Sequence, residues 1–98
     1  MNNLAISPEG AHQIKLYPNP VASDFTVEIN AYQVSRMDIR VFDVLGKEIA
    51  NLARQQLIDK GIQHITMPAD GLTAGLYYCQ IKIGTEVFTK PFVRVDGQ

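Results

Sequence analysis

Gly75-Leu-Tyr-Tyr-Cys-Gln-Ile-Lys-Ile83, Gly84-Thr-Glu86 and Val87-Phe-Thr-Lys-Pro-Phe-Val-Arg-Val95 form the stretch whose reading decides the fold. Two β-rich runs flank a short connection that holds Gly84, the pattern of a β-hairpin. Tyr77, Cys79, Ile81 and Ile83 share one face by the two-residue period of a strand, and Tyr78, Gln80 and Lys82 share the other. One side is therefore expected to be buried and the other wet. A two-residue loop at Gly84-Thr85 would pair Ile81 with Phe88 and Tyr77 with Phe92, but would set Lys90 opposite Cys79 on the core side. A longer loop would turn Val87, Val93 and Val95 inward instead. A bulge near Lys90-Pro91 serves both halves and is the expectation, because Pro91 brings no donor to a ladder.

The same alternation runs upstream. Gln13 to Tyr17 is a short alternating run stopped by Pro18-Asn19-Pro20, which suits a first strand at a sheet edge. In Asp24 to Ile29, Phe25, Val27 and Ile29 point one way and Asp24, Thr26 and Glu28 the other. Met37, Ile39 and Val41 repeat the pattern after a polar connection. Asp43-Val44-Leu45-Gly46 reads as a tight turn, with Asp43 bonding the backbone ahead of it. Lys47 to Leu52 should return antiparallel with Ile49 inward, and Asn51 to Ile58 continues as strand or loop. Asp59-Lys60-Gly61 turns again, Ile62 to Met67 is a strand, and Pro68 to Gly75 crosses to the hairpin. About seven short strands without a helix predict an all-β, immunoglobulin-like antiparallel sandwich. The expected boundaries are a linker over 1–13, the sandwich over 14–95 and a tail over 96–98.

Composition narrows the function. A chain of 98 residues with 46% hydrophobic and 19% charged content is long enough for one core. A net charge of −1 gives no electrostatic case for nucleic acid or an anionic membrane. No apolar run reaches the length of a membrane helix, and the first residues lack the pattern of a signal peptide, so an export signal would have to lie upstream. A single cysteine, Cys79, cannot form an internal disulfide; on an inward strand position it reads as an inert thiol. His12 falls in the expected leader and His64 points to water, which together with Cys79 makes no metal site. The acidic residues are scattered singly, mostly at turns, and no phosphate-binding glycine loop appears. Neither catalysis nor a cofactor is expected.

Two surface features remain. Tyr32, Phe42 and Tyr78 offer an aromatic platform for glycans; the plainer reading has Phe42 capping the sandwich end and Tyr78 covering a neighbouring Thr or Gln. Lys82, Lys90 and Arg94, opposed by Glu86 alone, make the hairpin locally basic, as edge strands that resist aggregation often are.

Four ordered pieces of the chain resemble the type IX secretion C-terminal sorting domain of exported proteins in Bacteroidota. They are Leu16-Tyr17-Pro18-Asn19-Pro20, Ile39 to Ile49 with its Asp-x-x-Gly turn, Leu72-Thr73-Ala74-Gly75-Leu76-Tyr77-Tyr78, and Gly84 to Lys90. The resemblance covers about residues 14 to 95. It implies a non-enzymatic domain, exported through the periplasm with an upstream cargo and delivered to the outer-membrane surface or the extracellular space. The translocon and an outer-membrane shuttle protein would recognise it, and a sortase-like protease would then cut it off, within or beside residues 1–13. The parts that matter in such a domain map to Tyr17, Pro18, Asn19, Pro20, Gly75, Tyr77, Lys90, Phe92, Val93, Arg94 and Val95. Pro91 in place of a second lysine, and the tail Asp96-Gly97-Gln98, depart from the family's pattern. A terminal hairpin at a sheet edge would leave backbone groups free, so a partner could add a strand there and two copies could exchange strands. The runner-up reading is a fibronectin-III-like or carbohydrate-binding accessory module; a third is a spacer between larger domains.

Overall fold

A computed structural model describes residues 12–96. Seven strands follow the alternation read from the sequence: β1 (Gln13–Tyr17), β2 (Asp24–Ala31), β3 (Ser35–Phe42), β4 (Glu48–Ile58), β5 (Gly61–Pro68), β6 (Gly75–Ile83) and β7 (Glu86–Arg94). They form a three-stranded sheet, β1-β2-β5, and a four-stranded sheet, β4-β3-β6-β7, with every strand pair antiparallel. The chain is all-β, as expected. Asn51 to Ile58, compatible with strand or loop, belongs to β4.

The inward residues of each strand fill the space between the sheets. Phe25, Val27 and Ile29 of β2 meet Met37, Ile39 and Val41 of β3 and Cys79, Ile81 and Ile83 of β6, all essentially without exposure. Each contributes roughly 1.5–3 kcal/mol on burial of a large side chain, which sets the register against a one-residue slip. At one end three rings stack: Phe92 lies 5.2 Å from Phe25 on the facing sheet and 5.6 Å from Tyr77 on its own.

The connections carry their own chemistry. In the β3–β4 turn, Asp43 Oδ1 accepts from the amides of Leu45 and Lys47, both at 2.9 Å, as the sequence predicts. β4 departs from regularity opposite Asp38, where Gln55 takes a positive φ of 45°. Asp38 holds this bulge: its carboxylate accepts from the Gln55 amide at 2.9 Å and from Gln55 Nε2 at 2.7 Å. The β5–β6 crossing is braced by Tyr77, whose hydroxyl donates to the Thr73 carbonyl at 2.6 Å. A tyrosine bonded to backbone a few residues upstream, at a crossing between sheets, is the tyrosine corner of immunoglobulin-like sandwiches.

The final hairpin differs from expectation in one respect. Its register runs unbroken from Ile83↔Glu86 to Gly75↔Arg94, with Cys79 opposite Lys90, so the bulge expected near Lys90-Pro91 is absent. Two things remove the need for it. β7 is the last strand of its sheet, so half-buried Lys90 can run its aliphatic stem along the margin and keep its ammonium in water. Pro91, in turn, sits where strand alternation points its nitrogen away from β6. Gly84, first in the two-residue loop with φ of 61°, supplies the backbone that a type II′ hairpin turn requires.

The Tyr77 hydroxyl is testable without disturbing the stacked rings. Tyr77→Phe should lower stability by about 1–3 kcal/mol, because the Thr73 carbonyl loses its donor while the ring stays in place. Urea unfolding should show a lower midpoint at unchanged slope.

Candidate functional site: the junction of opening loop and last strand

Between β1 and β2 the chain turns through Pro18-Asn19-Pro20, with cis peptides at Tyr17–Pro18 and Asn19–Pro20. It then runs along the outer edge of β7. The Asn19 side chain behaves there like one residue of a neighbouring strand: Oδ1 accepts from the Val93 amide at 2.9 Å and Nδ2 donates to the Pro91 carbonyl at 3.4 Å. Two residues on, Val21 takes over with its backbone. Its amide donates to the Val93 carbonyl at 2.7 Å and its carbonyl accepts from the Val95 amide at 2.9 Å, a parallel bridge to Arg94. The Val21 side chain is fully buried. The loop therefore leaves the three-stranded sheet and joins the four-stranded one, closing that side of the sandwich.

Arg94 fastens the same junction from the other direction. Its guanidinium donates to the carbonyls of Ala22 at 2.7 Å and Ala69 at 3.3 Å, and to that of Val95. Ala69 belongs to the β5–β6 crossing, so one side chain ties together the opening loop, the crossing and the last strand. Charge-assisted bonds to carbonyls contribute more than neutral ones. The positive charge that the sequence assigns to a basic hairpin surface is thus partly spent inside the structure.

The residues singled out in the sequence fall into two sets here. Pro18, Asn19, Pro20 and Gly75 are exposed; Tyr17, Val93 and Val95 keep between 36% and 41% of their surface in water. Tyr77 and Phe92 are core, and Lys90 and Arg94 are half-buried. Gly75 has φ of 152°, which a side chain would strain, and it pairs with Arg94 across the hairpin. Tyr17 lies beside Glu28; desolvation and then that carboxylate raise the pKa of its phenol. The expected free edge on β7 is corrected by this arrangement. Around Pro91 and Val93 it is occupied by Asn19 and Val21, and only Val87 and Thr89 continue the outward-pointing row.

Val21 and the twofold bonding of Asn19 were not anticipated. The available signal is a lone β-branched residue, Val21, directly after Pro-Asn-Pro in an otherwise small and polar run. His12 also differs from expectation. It is 4% exposed, stacked on Tyr32 with centroids 4.3 Å apart, and its Nδ1 accepts from the Tyr32 amide at 3.3 Å.

Elsewhere the surface offers little chemistry. Phe42 and Tyr78 oppose one another across β3 and β6, with the Arg40 guanidinium 5.5 Å from the Phe42 ring, while Tyr32 pairs with His12 instead. The three aromatics do not form one platform. An open recess of about 440 Å³ on the four-stranded sheet is lined by Asp38, Arg40, Asn51, Arg54, Gln55 and Lys82, with no Ser, Thr, Cys or His among them. Among the described residues no group of three His, Cys, Asp or Glu side chains is placed to hold a metal ion. Burial pushes the Cys79 thiol up to about 12.

A family model described as the secretion system C-terminal sorting domain matches residues 15–95, from the third residue of β1 to the residue whose amide bonds Val21. No curated protein matches the chain.

The junction and the thiol each give a measurable expectation. Asn19→Ala should cost about 0.5–1.5 kcal/mol per hydrogen bond lost and should speed hydrogen exchange at the Val93 amide, leaving the β2–β5 ladder unchanged. Cys79 should resist thiol reagents at pH 8 until the protein is unfolded. Its raised pKa keeps the folded thiol protonated where the unfolded thiol ionises. The associated stability is therefore complete below the ordinary value of 9.0 and is lost as pH rises from there towards 12. Cys79→Ala should flatten that part of the stability–pH curve relative to the native sequence.

Proposed function

The chain belongs to the secretion system C-terminal sorting domain family, and we propose that it directs an attached cargo through the type IX secretion system to the cell surface or beyond. The family is not one of enzymes. In this reading the chain performs no chemistry: it is recognised as a shape, and a sortase-like protease removes it afterwards within or beside residues 1–13. Of those, residues 1–11 lie outside the described ones.

The observation that carries the reading is the pair of bonds from Asn19 to Pro91 and Val93. They bring the opening motif and the last strand, 74 residues apart from Asn19 to Val93, onto one exposed surface. The translocon and its outer-membrane shuttle would read Tyr17, Pro18, Asn19, Pro20, Val93 and Val95 together. Tyr77, Phe92, Lys90 and Arg94 would act from beneath, by fixing where those residues stand. This division supports a folded recognition surface over a linear one, since Phe92 in the folded domain has no exposed area to offer.

A reporter with its own export signal, fused ahead of the chain in a host with a type IX system, tests the proposal. The fusion should reach the medium or the cell surface, and removal of the whole domain should leave the reporter in the periplasm. Val93→Glu, which changes an exposed side chain and no core contact, should retain the reporter while the isolated variant keeps native circular dichroism. Export of the reporter without the domain would overturn the sorting role. Normal export of a folded Val93→Glu variant would overturn the composite surface.

A further inference from the structure

A two-sheet sandwich has four edge strands, here β1, β5, β4 and β7. Natural sheets blunt such edges with short length, bulges, charge, proline or a covering segment. β1 has five residues, carries Lys15 and ends at Pro18. β4 carries Glu48 and Arg54, and its register shifts at three places. β7 carries Glu86, Lys90 and Pro91 and is covered by Asn19 and Val21. Of these devices β5 has, among the described residues, only a proline at its last position, Pro68. Its eight residues, Gly61-Ile-Gln-His-Ile-Thr-Met-Pro68, include no Asp, Glu, Lys or Arg, and all eight pair with β2 in unbroken register.

The bonding pattern fixes which groups β5 leaves unpaired. The Ala69 amide donates to the Ser23 carbonyl at 3.0 Å, so in this ladder the odd-numbered residues from Gly61 to Ala69 bond inward to β2. Pro68, which has no amide hydrogen, falls in the other set. Ile62, His64 and Thr66 therefore direct their N–H and C=O groups outward, in a row, and among the described residues nothing pairs with them.

We propose that this edge pairs with the β5 edge of a second copy, joining the two three-stranded sheets into one. The occupant follows from the chemistry of the strand. An antiparallel pairing centred on His64 sets His64 against His64 of the partner and Ile62 against Thr66 of the partner. Each of these is a narrow pair that exchanges two backbone hydrogen bonds. The β-branched Ile62, 62% exposed, then covers a β-branched neighbour, a favourable cross-strand combination. A strand without formal charge offers nothing to select an acidic or basic partner, and a net charge of −1 sets almost no repulsion between copies. Eight residues make a small contact, so the dimer is a weak one that forms at high local concentration.

Sedimentation velocity and amide hydrogen exchange on the 98-residue chain, from micromolar to millimolar concentration, test this. The mass should double towards the upper end of that range. Exchange at Ile62, His64 and Thr66 should slow by about tenfold or more with concentration, while the alternate amides of Gln63, Ile65 and Met67 stay protected throughout. His64→Lys puts an ammonium beside Glu28, whose carboxylate is 3.1 Å from His64 Nε2, and places two ammonium groups face to face across the pairing. It should abolish the dimer. A monomer at every concentration would overturn the proposal, as would an undiminished dimer of His64→Lys. Protection gained at Val87 and Thr89 instead would assign the contact to β7, and so would also overturn it. Protection at the three β5 amides in dilute protein, lost on deleting residues 1–11, would make the chain's own N-terminal segment the occupant.

Discussion

The structure depends on satisfying the outer edge of its last strand. β7 can offer its even-numbered backbone groups to β6 alone; the odd-numbered ones face away and would be left to solvent. Pro91 removes one donor from that row, the side chain of Asn19 meets the next two groups, and the backbone of Val21 meets the two after those. A primary amide can do this because it carries a donor and an acceptor at the spacing of a peptide group. Aspartate would lack the donor and serine the reach. The buried Val21 side chain follows from the same placement, since a backbone held in a sheet must send its side chain to one face or the other.

Around that edge, each part of the sandwich end has a defined share. Phe92 sends its ring inward to stack on Phe25 and Tyr77, which couples the two sheets through dispersion and area burial. Arg94 reaches sideways to two loop carbonyls that would otherwise need water. Tyr77 closes the crossing above it. The surface presented by Pro18, Asn19, Pro20 and Val93 is thus fixed by buried neighbours, and its shape needs no ligand to form. A domain whose role is to be recognised gains from that rigidity, because little ordering entropy remains to be lost on binding.

Much of this was legible in the residues. Period-two alternation placed Phe25, Val27 and Ile29, then Met37, Ile39 and Val41, on the correct faces, because one residue of slip would invert all of them at once. Asp43 announced its turn by a local bond that needs no tertiary context. The misreadings share a cause. Whether Lys90 is buried depends on β7 being the outermost strand of its sheet, and whether the β7 edge is free depends on a loop some 70 residues earlier in the chain. His12 is buried by Tyr32, 20 residues away. Strand order and long-range bonding are properties of topology, and alternation within a strand does not encode them. The Pro-Asn-Pro motif drew attention through its resemblance, while its physical task, replacing a strand at an edge, became visible only once both ends of the chain stood side by side.

The position of Asn19 and Val21 on β7 has a further consequence for how the molecule matures. These residues belong to the first quarter of the chain, and the groups that receive them lie in the last few positions of the fold. A polypeptide that stops before Phe92 keeps most of both sheets, yet leaves Phe25 without its ring partner and the loop without a landing place. Closure accordingly requires that the whole chain has arrived. A receptor that gripped the closed corner would inspect the integrity of the molecule and its identity in a single act.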